Sequence, residues 1–576
     1  MRIIRLRLQR FRGFESAEIN VASDVVVVGE PRAGRTDLVE AIRRVLDVRS
    51  TSSRVDPLDI HRPLPPTGPA PLTEVEVTLV DLGASLEQLL DNRLETVDPS
   101  TGLPATPARA ASAELGVRLC YRARYDEITG IGEHWVDFPK GSDPAADQFA
   151  RAPRVEREAL PVLILDKAAP LQLRAEGVLR GLIAEASPAA LDTALADLRQ
   201  QVSAATDALS VSPPVRDQVA AVMGDGAAQL LEITDPHPAN AVSFAAEDGS
   251  TAALLRAVQP ALELDAAGSL PLSSHGSTAA SILSMAEAAL SASAPQAVLV
   301  VDDFGDQLDA SAAEYLAGML RRDAGQVWLS TRRPEAVRGF RPEEILRLTR
   351  SHGARRQHQL TPSTDRKERA VRRQLQLVLL PAMSSRTVAL LEGVHDLEGY
   401  SAVSDRQLRV SGKAPPAAYG VRLVASAVGD GGKESLPRLA RLAVELGFHV
   451  FVVLDNDGPG TDAALLTDLQ AVAELVVRLP TRTAVERALV AGLSTGTVRT
   501  TLTWLDSEYA LGLDVPAITD AHLERQAAKA LKMKSGLHQP WVDALPVRSA
   551  PPLAVAVLDA LRVGPSAGSL LEIPDP

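Results

Sequence analysis

Thr387-Val-Ala-Leu-Leu-Glu-Gly393 and, further along the chain, Val450-Phe-Val-Val-Leu-Asp-Asn-Asp457 are short apolar runs that each stop at carboxylates. A run of this length bounded by glycine reads as a buried strand. Open α/β sheets place their chemistry at strand ends, so Glu392, Asp455 and Asp457 are predicted to meet at one sheet edge. Left alone, three carboxylates would repel one another and raise each other's pKa. A hard divalent cation with oxygen ligands, Mg²⁺ or Mn²⁺, resolves that conflict.

Glu-Gly or Asp-x-Asp alone is common by chance; here their order and context add weight. After Glu392-Gly393 come a glycine turn at Gly429-Asp-Gly-Gly432, helical spacing from Glu434 to Leu446, the strand ending in Asp455-x-Asp457, and a turn at Gly458-Pro-Gly460. Over residues 380–545 this pattern resembles a TOPRIM domain, the metal-binding fold of type II topoisomerases, bacterial primases and the OLD (overcoming lysogenization defect) nucleases. The resemblance implies a metal core of Glu392, Asp455 and Asp457, with two divalent ions expected. Asp396, four residues after Glu392, shares its face if the turn is helical and then adds a ligand. Glu486, in Ala484-Val-Glu-Arg-Ala-Leu-Val490, resembles a later acid of the family, although it also reads as an ordinary helix-surface residue. OLD-type nucleases use a lysine near the chain end to stabilise charge at the scissile phosphate. Of Lys532 and Lys534, the second is the preferred match, ahead of Ser535 and a predicted helix.

The chain has 576 residues, too many for one core. It is 45% apolar and 23% charged, a globular balance, and its 3% aromatic content argues against extensive base stacking. A single cysteine, Cys120, excludes a disulfide framework or a thiolate metal site within the chain. No apolar run reaches membrane-spanning length and the amino terminus lacks a signal-type core, so a soluble cytoplasmic protein without membrane contact is expected. A net charge of −13 argues against a protein that coats nucleic acid broadly, while leaving room for a local basic groove. The cluster Arg350, Arg355, Arg356, Arg366, Lys367, Arg369, Arg372 and Arg373 is a candidate for such a phosphate contact, or a solvated helix face.

At the other end, Arg2 to Leu8 and Ala17 to Val21 read as strands around the turn Phe11-Arg-Gly-Phe14. The buried strand Val25-Val-Val-Val28 runs into Gly29-Glu-Pro-Arg-Ala-Gly-Arg-Thr36, and Asp37 to Leu46 is helical. Strand, glycine loop and helix at this spacing form a P-loop pattern, in which Gly29, Gly34 and Thr36 would cradle phosphate and Mg²⁺, with Arg35 where lysine is usual. Strands at Thr73–Val80, 116–125, 134–138 and 159–165 would complete a β-rich lobe. Ala297-Val-Leu-Val-Val-Asp-Asp303 is a Walker B pattern with Asp302 facing Mg²⁺. Ser274 and Gly276, in Ser273-Ser-His-Gly276, resemble an ABC signature loop or a plain helix cap, and Gly305-Asp-Gln-Leu-Asp309 resembles the D-loop. These motifs resemble the RecF, SMC and OLD group of ABC-type ATPases, which implies ATP as ligand. Asp303 where a catalytic Glu is usual, and Arg332 where a His is usual, predict binding with slow hydrolysis.

The expected architecture is α/β: an ABC-type (RecF/SMC-like) ATPase with a helical insertion, followed by a TOPRIM domain with carboxyl-terminal helices. Its boundaries are 1–170 and 236–350 for the ATPase, 171–235 for the insertion, 351–379 for a basic linker and 380–576 for the remainder. The resemblance implies a metal-dependent DNA endonuclease coupled to ATP binding, a homodimer joined through the insertion, a role in phage or foreign-DNA defence, and in some relatives a helicase partner. The rival expectation is a non-catalytic ATP-switched DNA clamp.

Overall fold

The computed structural model describes residues 1–51, 54–61, 72–126, 129–165, 170–171, 178–230, 237, 240, 242, 260–263, 268–292, 297–426, 432–456, 458, 463–534, 536–565 and 569–576. Asp457, Ser535, Gly429, Asp430, Gly431, Pro459 and Gly460, all named above, lie outside them. The chain divides into two compact units, Met1–Ile164 with Gln296–Asp306 and Gly325–Pro576, and Leu165–Pro295 with Gln307–Ala324.

The first unit holds three sheets. One is antiparallel, in the order Phe14–Asn20, Arg2–Phe11, Thr73–Val80, Glu114–Asp126, Ile131–Asp143, Gln148–Arg151, with Glu95–Val97 paired to Glu114–Asp126. The Phe11-Arg-Gly-Phe14 turn closes a hairpin with Phe11 opposite Phe14. Alternation in Thr73–Val80 predicts one wet face, yet most of the strand is buried. Its polar residues are satisfied inside: Glu76 pairs with Arg5 at 2.6 Å, and Thr78 Oγ1 donates to the Gly102 carbonyl at 2.8 Å.

The second sheet runs Ala354–Gln359, Ile345–Ser351, Val25–Gly29, Gln326–Thr331, Val298–Phe304, Val162–Leu165. Its four central strands are parallel. The helix Arg35–Leu46 buries Leu38, Ala41, Ile42 and Val45, which share one core with the inner faces of both sheets. The predicted boundary at 350/351 is corrected here. It cuts an antiparallel hairpin, Ile345–Ser351 with Ala354–Gln359, that belongs to the sheet, and only then does the helix Arg366–Leu379 follow.

The third sheet, Val421–Ala425, Thr387–Leu391, His449–Leu454, Leu475–Arg478, Ser569–Glu572, is parallel throughout. Successive strand residues point to opposite faces. Ala389, Leu391, Phe451, Val453 and Val477 therefore join the carboxyl-terminal helices in one core. On the other face lies the helix Leu436–Glu445. Fully buried Arg347 ties this domain to the second sheet. Its guanidinium donates to the carbonyls of Leu446 at 2.8 Å, Ser385 at 2.5 Å and Met383 at 3.3 Å, and lies 3.5 Å from the Phe448 ring centroid.

The second unit carries the helices Val178–Ala186, Pro188–Val211, Pro213–Leu230, Ser277–Ala292 and Ala310–Asp323. At Ser212-Pro-Pro214 one helix ends and the next begins, with proline occupying the first helical position. The helical region thus extends past the predicted 171–235 limits and takes up residues assigned to the ATPase. Among the described residues no helix is long and apolar enough to cross a membrane.

Candidate functional site

Glu392 follows the strand Thr387–Leu391 and Asp455 follows its parallel neighbour His449–Leu454. The two strand ends are joined: Glu392 Oε1 accepts a hydrogen bond from the Asp455 backbone N–H at 2.8 Å. Asp396 is the third residue of the helix Val394–Ser411, and its Oδ2 accepts from the Gly393 N–H at 2.7 Å, closing the helix start. Asp396 therefore serves as a cap, and because the helix begins after Glu392 the two do not share a helical face as the spacing predicts. Gly399 lets this helix approach Val485–Ala488, since a Cβ there would meet Val485 Cγ2 at 2.9 Å. That approach brings the buried carboxylate of Glu486 beside Asp396. Burial first, and then the charge of Glu486, push the Asp396 carboxyl up to about 6.

Tyr400, four residues after Asp396 on the same helical face, is fully buried, and among the described residues its hydroxyl has no hydrogen-bond partner. Burial pushes its pKa up, and the charges of Asp455, Asp396, Glu392 and Glu486, in that order, push it further. The charges of all four acids thus reach one buried hydroxyl. Helical spacing from Asp396 is the signal that would have found Tyr400 in the sequence.

The lysine at this cluster is Lys532, whose Nζ stands 3.3 Å from Glu486 Oε2. Lys534, the preferred lysine, instead donates to the Tyr509 carbonyl at 2.5 Å. The helix Asp520–Met533 explains the difference: Lys532 lies within its last turn, whereas Lys534 sits past the end in extended backbone. Four acids offset by one ammonium form an oxygen donor set with surplus negative charge, which fits a hard divalent cation. Among the described residues, which leave out the predicted ligand Asp457, a second trio of ligand atoms lies within 4.8 Å of one another: His395, Glu398 and His538.

At the other edge of the first unit, the loop from Glu30 to Gly34 joins the strand Val25–Gly29 to the helix Arg35–Leu46. Gly29 has φ 140°, and a Cβ there would meet the Leu348 carbonyl oxygen at 2.1 Å, so only glycine fits. A cavity of about 520 Å³ lies over the loop, lined by Arg12, Arg32, Gly34, Thr36, His61 and Arg355 among others. Helix-start amides ringed by arginines form an anion site. Arg35 Nη1 donates to the Gly29 carbonyl at 2.8 Å, and Nη2 stands 3.9 Å from Asp303 Oδ1. Burial lowers the Arg35 pKa; burial and the Asp302 charge raise that of Asp303. Asp302 and Asp303 sit at an irregularity in Val298–Phe304, with Asp303 at φ 48°. Arg332 pairs with Asp306. Ser274 ends the turn Leu272–Ser274 in the second unit, and Gly276 precedes the helix Ser277–Ala292, whose Thr278 Oγ1 donates to the Gln307 carbonyl at 2.9 Å.

The basic cluster read as a phosphate-backbone contact is corrected in part. Arg355 lines the loop cavity and pairs with Asp37. Arg372 pairs with Glu368 at 2.6 Å, Arg369 donates to the Ser363 carbonyl at 3.1 Å, and Arg373 caps the Phe340 and Arg338 carbonyls. These arginines serve the protein itself, a role that a one-dimensional count of charge does not reveal.

No protein-family model matches the sequence, and no curated protein matches it. Solved structures similar to the chain include three SMC heads. The crystal structure of the SmcHead bound to the C-winged helix domain of ScpA shares 12% identity over 64% of this chain and 99% of that one, at TM-score 0.32. The Smc head domain with an extended coiled coil bound to the C-terminal domain of ScpA, derived from Pyrococcus furiosus, shares 12% over 62% and 96%, at 0.34. The SMC head domain from Thermotoga maritima shares 10% over 63% and 100%, at 0.27. Likenesses this loose assign no function.

Proposed function

We propose that the chain is a divalent-metal-dependent DNA endonuclease whose TOPRIM-type site is coupled to an ABC-type nucleotide-binding domain. The observation that carries this reading is the Glu392–Asp455 junction, with the charges of Asp396 and Glu486 acting on the same buried Tyr400 as those two acids, and Lys532 paired with Glu486. Mg²⁺ or Mn²⁺ held there would polarise a phosphodiester and activate water. The chain's own contribution is to hold oxygen ligands on rigid strand and helix ends, with Lys532 facing the developing negative charge. Double-stranded DNA is the proposed substrate, a homodimer the proposed assembly, and phage or foreign-DNA defence, with a possible helicase partner, the proposed setting. The helices of the second unit leave Leu209, Val211 and Val222 exposed, which supports pairing of two chains.

ATP is the proposed occupant of the cavity over the Glu30–Gly34 loop, with slow hydrolysis. Arg35 is bonded to its own loop, and Asp303 is one methylene shorter than the usual glutamate. Steady turnover on the order of 10 s⁻¹, ordinary for enzymes, would contradict this. Arg347, running from the nucleotide-side sheet to three carbonyls of the metal-side domain, is the proposed mechanical link.

A second reading, an ATP-switched clamp that grips DNA without cutting, needs only the arginine-lined cavity over the Glu30–Gly34 loop and the Arg347 link between the two sheets. Supercoiled plasmid incubated with Mg²⁺ or Mn²⁺, with and without ATP, separates the two: nicked circles support the nuclease, and intact plasmid that is retained only with ATP supports the clamp.

A further inference from the structure

Successive residues of a helix turn by about 100°. On Val394–Ser411, Asp396 and Tyr400 face the carboxylate cluster, while His395 and Glu398, three apart, share the adjoining face. There they meet His538, the first residue of the helix His538–Ala544. One ligand atom from each of the three lies within 4.8 Å of the other two. His538 Nδ1 is 3.3 Å from Glu398 Oε2, and the His395 and His538 rings are 5.2 Å apart between centroids.

His538 is fully buried, and among the described residues its ring nitrogens have no well-formed hydrogen bond, the Glu398 carboxylate standing 3.3 Å from Nδ1. A buried polar group without a partner costs about 1–3 kcal/mol, so native structures rarely keep one without water or an ion. Glu398 is half-buried and His395 exposed, so the trio is closed at the back and open to solvent in front.

We propose that His395, Glu398 and His538 form a second metal centre, selective for a borderline transition ion such as Zn²⁺. Two imidazoles, one carboxylate and an open fourth position are the donor set of zinc sites that keep a solvent ligand. Mg²⁺, which demands oxygen ligands, is excluded from it by the same chemistry. The ion fastens the helix His538–Ala544 to the helix that carries Asp396. It also sets a divalent charge close to Glu486, whose charge already acts on His538. The site stands whether or not the chain cuts DNA.

The test uses full-length protein stripped with a chelator and titrated with Co²⁺ as the Zn²⁺ stand-in, in excess Mg²⁺. One equivalent per chain is expected to give a visible ligand-field band, displaced by one equivalent of Zn²⁺. His395→Ala, at an exposed position that leaves the core intact, should weaken Co²⁺ binding by about 100-fold or more. His538→Gln should do the same, and Glu392→Gln should leave the band in place. Absence of a saturable band, its loss to Mg²⁺, or its survival in His395→Ala would overturn the assignment.

Discussion

Glu392 Oε1 accepts a 2.8 Å hydrogen bond from the main-chain N–H of Asp455, so an acid at one strand end is held by the backbone of the parallel neighbour. The lock uses no side-chain atom of Asp455. Replacing Asp455 by Ala should therefore keep this strand-end bond, whereas Glu392→Ala orphans a part-buried amide, a loss worth about 1–3 kcal/mol. Urea denaturation in chelator checks this; equal stability for the two variants would contradict it.

Asp396 carries a pH dependence whose sign is fixed. Its folded-state pKa is raised to about 6, above the ordinary 3.8. Below the ordinary value both folded and unfolded chains hold the proton and nothing is lost. As pH rises toward about 6 the unfolded chain releases it first, so the metal-free fold loses stability, and above that value the penalty is complete. Asp396→Asn keeps the oxygen that caps Gly393 and removes the charge. In chelator at pH 8 the variant should be more stable than wild type, by up to about 3 kcal/mol for a shift of about two units, with the difference vanishing near pH 4. Added Mg²⁺ should stabilise wild type more than the variant, which keeps the other acids but lacks one ligand charge. A variant less stable at pH 8 would refute the account.

Lys532 and Lys534 make opposite predictions. Lys532 faces Glu486, whereas Lys534 holds the Tyr509 carbonyl. Under single-turnover conditions Lys532→Ala should slow plasmid cleavage by about 10²-fold, in the range for removing one group that stabilises transition-state charge. Lys534→Ala should stay within about threefold of wild type, by the same reasoning. The reverse order would restore the lysine preferred from sequence.

Much of the fold was legible because period and punctuation are local. The valine run 25–28, the Phe11–Phe14 turn and the two strands ending at Glu392 and Asp455 all form where spacing predicts. What failed to show depends on three dimensions. The second strand of the hairpin at 345–359 reads as the start of a basic linker because residues such as Arg355 and Arg356 are charged, yet it pairs into the sheet and Arg355 lies over the phosphate-type loop. Lys532 and Lys534 are indistinguishable until the end of a helix is known. The His395–Glu398–His538 trio joins residues far apart in sequence, and an i, i+3 pair alone says little.

Arg347 offers a test of the junction between the two halves of the first unit. Burial lowers its pKa to about 9 against the opposing charge of Glu30, and its guanidinium donates to three carbonyls. Arg347→Leu should destabilise the protein by about 3–5 kcal/mol if the loss of this buried network follows the usual cost of breaking one. Arg347→Lys should not rescue it, because an ammonium cannot reproduce the planar fork. Thermal unfolding in two steps rather than one would show the halves uncoupled; a single unchanged transition would contradict the linking role.

The central claim is that the strand-end acids hold a catalytic cation, and the rate of plasmid nicking tests it most directly. With Mn²⁺ or Mg²⁺ present, wild type should convert supercoiled DNA to open circles, chelator should stop it, and folded Asp455→Ala should be slower by about 10²-fold or more. Nicking by Asp455→Ala at the wild-type rate, or none by wild type with either metal, would contradict the account.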